Sequence, residues 1–242
     1  MKQSLLILII FYTTLFNLNA QDNSTGLFTS TNATEWELLT YGRKKQLLGK
    51  TINYFKFTDT SNENRSGIVY STIYDADGKK LTQYHYTVIS THGDLKIDMI
   101  YMMAEDQHIY YAKFDMIPYQ NDPLFIPANP LVGQILSNAK LDTNLMNKKT
   151  GDLQETFALY STERIILAKE TVTVPAGVFE CYKIRTIIHT HSVVLGVSFK
   201  YNFTLYEWYA PGLGVVKSEA YDKKGEFACY SLLSKHTSLT SK

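Results

Sequence analysis

WYAPGLGVVKSEAYDKKGEF, residues 208–227, decides the fold class, because it alternates strand-like segments with two turn signals. Pro211-Gly212 is a turn dipeptide, and Gly214 suits a β-bulge or a close approach between paired strands. In the second turn, at residues 221–225, Asp bonds its own backbone and Gly supplies a positive φ. The stretch therefore predicts that its strands are antiparallel neighbours.

Gly212-Leu213-Gly214 also has the spacing with which a glycine-rich loop holds a phosphate group. A dinucleotide-binding fingerprint requires a third glycine three residues later and a helix behind it, but Lys217 stands there in a strand-like segment. A P-loop requires glycine directly before Lys-Ser, and this sequence has Val216. We therefore interpret both glycines as backbone joints between two strands.

The same turn chemistry recurs at residues 74–78, and a weaker copy stands at residues 41–45. Each turn predicts antiparallel strands on its two sides. Residues 34–48 also begin with a helix capping box, Thr34 to Glu37. A helix and a hairpin are therefore both open for this segment, and the hairpin is favoured.

Short segments rich in Tyr, Val, Ile, Thr and Phe dominate the remaining chain and predict further strands. Residues 95–103 alternate most clearly, and the next strand is predicted across residues 110–116. Glu105-Asp106 between them is interpreted as a solvated turn. Pro175-Ala176-Gly177 predicts a tight turn between the strands on either side of it.

Several strands carry bulky side chains on both faces, such as Ile184 on one face and Phe179 on the other. A sheet with one solvated face would alternate more cleanly. The sequence therefore predicts an all-β fold with minor α content, built as one large antiparallel, curved sheet or half-barrel. Residues 118–151 hold four of the six prolines and predict a flap, a cover or a short helix.

Residues 1–20 have the layout of a secretory signal peptide, with a basic start, a short apolar core and a small-residue cleavage site. The apolar run is shorter than the ~20 residues that cross a bilayer. We expect an exported protein, periplasmic or extracellular, that does not span the membrane. The predicted order is a flexible segment at 21–34, a single β domain at 35–235 and a polar tail at 236–242.

Without the first twenty residues, the chain carries equal numbers of basic and acidic side chains. This balance argues against nucleic acid or an anionic membrane as the main partner, because both require a concentrated positive field. The possible partners that remain are a lipid or another apolar small molecule, and a protein of the cell envelope.

The two cysteines, Cys181 and Cys229, leave two alternatives open. Export would permit a disulfide between them, which would add roughly 4 kcal/mol in the chain-entropy model. Otherwise each thiol packs as a small hydrophobic group.

Motifs for catalysis and metal binding are weak. His189 and His191 lie on one face of a predicted strand at workable ligand spacing, but a third ligand would have to come from a distant strand, such as His85. No nucleophile motif is present. We expect no enzymatic activity and no cofactor, with a hydrolase or metal enzyme as the weakest alternative.

Aromatic and methionine side chains provide the strongest indication of a binding site. An interior rich in such side chains could enclose an apolar ligand, since methionine adapts to irregular shapes. The same residues would also serve as an ordinary core. The candidate ligand-binding residues are Trp208, Tyr209, Tyr206, Met99, Met103 and Met116.

Two segments, KETVTVPAGVFECYKI (169–184) and YEWYAPGLGVVKSEAYDKKGEFACYSLL (206–233), resemble the TapB-like family of exported bacterial proteins, which is related to a periplasmic domain of unknown function. Asn138 stands where the family has an acidic residue, and Lys45 where it has Gly. The resemblance implies an antiparallel β architecture like that of the periplasmic lipoprotein carriers. It implies no enzymatic activity.

The function predicted is a non-catalytic module that binds an apolar ligand such as a lipid. The alternative is a subunit for protein interaction or assembly in the cell envelope.

Overall fold

The computed structural model describes residues 34–60 and 64–238, and most of them belong to one antiparallel sheet. The predicted signal peptide at 1–20, residues 21–33 and residues 239–242 of the predicted tail lie outside the described residues. Within the described ranges the strands are β1 (Thr34–Gly42), β2 (Leu47–Thr60), β3 (Asn64–Asp75), β4 (Lys80–Thr91), β5 (Asp94–Ile97), β6 (Phe114–Asp122), β7 (Leu124–Ile126), β8 (Ala139–Asn147), β9 (Leu153–Val174), β10 (Gly177–Val194), β11 (Val197–Ala210), β12 (Gly214–Asp222) and β13 (Phe227–Ser238).

The strands follow each other across the sheet in the order β6-β8-β9-β10-β11-β12-β13-β1-β2-β3-β4-β5-β7. The two edge strands, β6 and β7, are consecutive in the chain with only Pro123 between them. Because so wide a sheet twists and curls, these edges come round towards each other and the sheet forms a nearly closed barrel. The prediction of an all-β fold with one large antiparallel, curved sheet is confirmed.

The hairpin turns have the predicted chemistry. Asp75 and Asp222 each accept hydrogen bonds from the backbone N–H groups two and four residues later, at 2.8–3.1 Å. Gly78 and Gly225 follow at φ 82° and 77°. Lys45 takes the comparable place in the β1–β2 turn at φ 61°. β1 and β2 therefore form the favoured hairpin and not a helix.

The strand predicted across residues 95–103 is wrong beyond Ile97, where β5 ends. A 3-10 helix covers Met99–Met102, and Asp98 caps it by accepting a hydrogen bond from a backbone N–H of its first turn at 3.0 Å. Both end residues of this helix are buried. Their spacing of three residues is helical and does not follow the period of two that a strand requires.

The α-helix of the described chain, α1 (Glu105–Tyr111), replaces the solvated turn predicted at Glu105-Asp106. It also shortens the strand predicted across residues 110–116, because Tyr110 is helical and β6 begins only at Phe114. The predicted minor α content is thus concentrated here. None of the helices in the described ranges has the length and apolar composition needed to span a bilayer.

Residues 118–151, predicted as a flap, cover or short helix, instead contain most of β6 and all of β7 and β8. Pro118 is tolerated within β6 because β6 is an edge strand, where the missing backbone N–H of proline does not remove a hydrogen bond between two inner strands of the sheet. The pairing of β6 with β8 shifts register directly after this proline. The loop before β8 packs against β9, where the Gly133 N–H donates to the Ile166 carbonyl at 2.8 Å.

The β9–β10 ribbon, residues 168–181, extends past the paired part of the sheet as a two-stranded hairpin. Its tip is the predicted turn after Val174, which is confirmed. The ribbon folds back against β11 and β13: the Ala176 N–H donates to the Leu233 carbonyl at 3.1 Å, and Trp208 Nε1 donates to Glu170.

Cys181 and Cys229 are both free thiols, so the disulfide alternative is wrong in this structure. Their strands, β10 and β13, are separated by β11 and β12. Three strand spacings amount to roughly 14 Å, whereas a disulfide needs Cα atoms within about 7 Å. Cys181, the last residue of the ribbon, is completely buried, and it packs with Trp208 and Val174 as a small hydrophobic group.

Candidate functional site

The curved sheet encloses a cavity of about 450 Å³. Strands from opposite sides of the barrel contribute to its wall, and the 3-10 helix contributes Tyr101 and Met102. The wall consists mainly of aromatic and aliphatic side chains, among them Trp36, Leu38, Phe55, Tyr84, Tyr86, Val88, Leu95, Ile126, Ile184, Phe203, Leu205 and Tyr209. A concave, largely apolar space with a few polar groups is typical of a small-molecule site.

α1 lies across one end of the barrel, because its side chains bond to strands on different walls. Glu105, its first residue, accepts hydrogen bonds from Thr40 of β1 and Thr51 of β2 at 3.0 and 3.1 Å. Tyr111, its last residue, donates a hydrogen bond to Glu155 of β9 at 3.0 Å. The cover expected from residues 118–151 is therefore supplied by α1.

His108, in the middle of α1, attaches the helix to β4. Its ring stacks on Tyr84 with centroids 3.5 Å apart, and its Nε2 has no partner among the described residues. Burial lowers the pKa of His108 to about 3. The imidazole is therefore neutral near pH 7, and it packs in α1 as an aromatic ring.

The mouth of the cavity lies beside the first turn of α1. Leu48 and Asp106 both line the cavity and are both exposed, Leu48 to 46%. Glu105 is only partly buried next to them. The mouth therefore carries two carboxyl side chains.

The buried part of the cavity wall holds a small polar cluster made of Tyr101, Arg164 and Glu207, with Arg164 3% and Glu207 7% exposed. The Tyr101 hydroxyl donates to Glu207 Oε1 at 2.8 Å. Burial raises the pKa of Glu207 despite this hydrogen bond and the nearby positive charge of Arg164. Arg164 Nη1 donates to the carbonyls of Phe125 and Ser137 at 3.2 and 2.9 Å.

The predicted ligand-binding residues are divided between two faces of the sheet. Tyr209 and Met103 line the cavity. Tyr206 and Trp208 do not, because alternate residues of a strand face opposite sides and Glu207 and Tyr209 occupy the inner face of β11. Trp208 is instead buried beneath the β9–β10 ribbon.

Met99 and Met116 belong to a separate core beside the cavity. Met99 is completely buried and packs with Leu141 and Phe157 on the inner face of β8 and β9. Met116 packs against the same cluster from β6. For these two residues, the structure fits the alternative of an ordinary core.

The candidate metal ligands on β10 have polar and aromatic neighbours. His189 Nε2 lies 2.8 Å from the Thr162 hydroxyl, and its ring stacks on Tyr160. His191 Nε2 lies 2.9 Å from Ser198 Oγ. In the part of the chain that the structure describes, no three His, Cys, Asp or Glu side chains come together as a metal-binding group.

Sequence reasoning missed Arg164 and Glu207, the two charged residues of the buried polar cluster. A signal for Glu207 does exist, because it is the acidic member of a series at Phe203, Leu205 and Tyr209 that shares one strand face. A lone charge on an apolar strand face indicates either a partner or a ligand. Arg164 is flanked by another charge, Glu163, which hides the same signal.

Two solved structures share this fold. A candidate lipoprotein from Parabacteroides distasonis matches with a TM-score of 0.72 and 19% identity, over 88% of this chain and 99% of that chain. A candidate exported protein with a YmcC-like fold from Bacteroides fragilis matches with a TM-score of 0.67 and 21% identity, over 84% of this chain and 95% of that chain. No curated protein matches the sequence. The sequence profile of the DUF3108-like family matches residues 31–233, and the chain belongs to that family.

Proposed function

We propose that this protein is a non-catalytic binding protein that holds a single-chain apolar molecule, such as a lipid, inside its curved sheet. The observation that supports this best is the cavity of about 450 Å³, with its apolar wall and its mouth beside α1. Small-molecule sites span ~300–1,000 Å³. Hydrocarbon moved from water into such a space gains roughly 0.8 kcal/mol per buried CH₂ group.

Export to the cell envelope is part of the proposal. Its support is the signal-like layout of residues 1–20, together with the candidate lipoprotein and candidate exported protein among the structural relatives. Residues 169–184 and 206–233 support a place close to the TapB-like proteins within the broader family. A ligand-holding protein in this compartment would keep an insoluble molecule away from water.

The direct test is mass spectrometry of organic extracts from the purified mature protein. We expect a reproducible apolar molecule at near-stoichiometric amount. Its absence, together with no binding of long-chain probes added to the protein, would contradict the proposal.

A cavity-filling variant provides the control. Ala220 lines the cavity from β12, so Ala220→Phe should exclude the extracted molecule. Ala158→Phe is the matched substitution on β9, at a position that does not line the cavity, and it should retain the molecule. Equal recovery from both variants would place the molecule elsewhere on the protein.

The tip of the β10–β11 hairpin favours a second candidate function, docking onto an envelope protein. Leu195 is 95% exposed, and Val197, Phe199 and Tyr201 are 55–57% exposed. β12 pairs with β11 only from Phe203 onward, so among the described strands the tip of β11 is paired on one side only. Exposed apolar side chains on such an edge are typical of β-strand addition.

Pull-down from envelope extracts tests this second candidate. Phe199→Glu and Tyr201→Glu should each remove a captured partner, because a charge on this edge opposes docking. Leu131→Glu changes a residue that is also exposed, to 69%, but lies in the loop before β8, and it is the control. Equal capture by all variants would contradict a docking role for the tip.

A further inference from the structure

Arg164 is a buried cation in the wall of the cavity. Its side chain is 3% exposed, its Nη1 is bonded to two backbone carbonyls, and its Nε has no partner among the described residues. None of the ion pairs found within 4.0 Å among those residues includes Arg164. Burial lowers the pKa of Arg164 only to about 10, so the guanidinium stays charged at neutral pH.

Glu207 is the candidate counter-ion of Arg164, but burial works against its charge. The pKa of this carboxyl is raised, with loss of hydration as the first cause. Its Oε1 already accepts the Tyr101 hydroxyl at 2.8 Å. A buried charge without a paired counter-ion is costly, and a ligand that supplies the opposite charge removes that cost.

The exposed and the buried parts of the cavity wall differ in charge. The mouth carries Glu105 and Asp106, and the buried part carries Arg164. An anionic head group is therefore disfavoured at the mouth and favoured beside Arg164, while the apolar remainder of the wall suits a hydrocarbon chain.

We propose that the ligand is a single-chain amphiphile with a carboxylate head, bound so that the carboxylate pairs with Arg164 and the chain lies along the apolar wall. This assignment rests on the proposed function, since it names the ligand class of the same cavity. A guanidinium presents a planar fork of donors that matches a carboxylate. An alcohol leaves the charge of Arg164 unpaired, and a cationic head adds repulsion.

Three probes with the same twelve-carbon chain test the proposal on the wild-type protein: dodecanoate, dodecanol and dodecyltrimethylammonium. Binding is measured at neutral pH by displacement of an apolar fluorescent reporter, below the concentration at which each probe forms micelles. We expect dodecanoate to bind about tenfold or more tightly than dodecanol, as expected for a hydrogen-bonded charge pair, and the ammonium probe to bind most weakly.

The outcomes separate the two proposals. Equal affinities for all three probes, or a preference for the alcohol or the ammonium, would overturn the carboxylate assignment and leave the apolar binding function standing. Failure of every probe to bind would overturn the binding function, and the carboxylate assignment with it.

Two arginine variants test whether Arg164 causes the preference for the carboxylate probe. Arg164→Gln should abolish the preference for dodecanoate over dodecanol. Arg185→Gln, which removes a partly exposed arginine that does not line the cavity and is paired with Glu163 at 3.3 Å, should retain it. Arg164 also holds two backbone carbonyls, so folding is checked by circular dichroism.

If Arg164→Gln does not fold, Glu207→Gln provides the test. It removes the carboxyl group that competes for Arg164, so the preference for dodecanoate over dodecanol should stay the same or increase. Loss of the preference in Glu207→Gln, or its survival in folded Arg164→Gln, would overturn the proposal.

Discussion

Lys45 adopts a left-handed backbone conformation, φ 61°, in the turn between β1 and β2. The comparable turns have Gly78 and Gly225, at φ 82° and 77°. A residue with a Cβ atom is strained by about 1 kcal/mol or more in this conformation, and glycine is not. Lys45→Gly should therefore stabilise the protein by about 1 kcal/mol, seen in urea unfolding as a higher midpoint at unchanged slope.

The reverse substitution checks that prediction. Gly225→Ala places a Cβ where no atom lies within 4 Å, so only the backbone conformation opposes it. It should destabilise the protein by about 1 kcal/mol. Equal midpoints for the wild type and Lys45→Gly would show that the turn does not carry this strain.

His108 makes the protein sensitive to acid. Its folded-state pKa of about 3 is far below its ordinary value of 6.5. Between these values the unfolded chain binds the proton and the folded protein does not. Stability is therefore full above pH 6.5 and is lost progressively as the pH falls, by about 1.4 kcal/mol per pH unit.

His108→Phe keeps the ring against Tyr84 and removes the titration. The wild type should lose about 2 kcal/mol more than the variant between pH 6.5 and 5, measured by urea unfolding at both values. Identical pH dependence in the two proteins would mean that His108 is protonated in the folded state.

At the scale of single residues, the local hydrogen bonds of the turns were predictable and the polar cluster in the cavity wall was not. Asp75 and Asp222 bond their own turns as the sequence indicates, because those contacts depend only on nearby residues. Arg164 meets Tyr101 and Glu207 only after distant strands have assembled. No spacing along the chain encodes that meeting.

α1 is the element whose stability should control access to the cavity. Glu105 joins it to β1 and β2 through Thr40 and Thr51, and the mouth opens at this point. Glu105→Ala removes both hydrogen bonds. It should speed hydrogen exchange in α1 and the release of a bound probe, each by about tenfold. That factor is expected because each lost hydrogen bond contributes ~0.5–1.5 kcal/mol.

Asp106→Ala is the matched control. It removes an acidic side chain from the same first turn, but Asp106 is exposed and accepts a local hydrogen bond, from the Gln107 N–H at 3.0 Å. Both substitutions therefore change the charge at the helix start equally. Equal acceleration by the two variants would attribute the effect to that charge and contradict an anchoring role for Glu105.

Among the elements, the hairpins followed from sequence, and the 3-10 helix and α1 did not. Met99, Met102 and Met103 fit an alternating strand as well as two short helical turns, since a run of large apolar residues satisfies both periods. A seven-residue helix has little stability of its own. Contacts with Thr40, Thr51 and Tyr84 hold α1 in place, and its sequence alone does not specify them.

At the scale of the whole molecule, apolar side chains on both strand faces correctly indicated a curved sheet, but they left the faces of β11 undecided. Trp208 and Tyr209 are both large and buried. One is covered by the β9–β10 ribbon and the other faces the cavity. Where both faces of a strand are covered, the pattern no longer identifies the inner face.

A ligand that binds only the folded barrel should raise the stability of the whole molecule. At a hundredfold excess over its dissociation constant, the gain is ~2.7 kcal/mol, or roughly 5–10 °C in Tm for a chain of this size. Dodecanoate should produce this shift in the wild type and in Ala158→Phe. Ala220→Phe should abolish it, because the added ring occupies the cavity from β12. A shift of the same size in Ala220→Phe would mean that the amphiphile stabilises the protein from its surface, since only binding inside the sheet competes with that side chain.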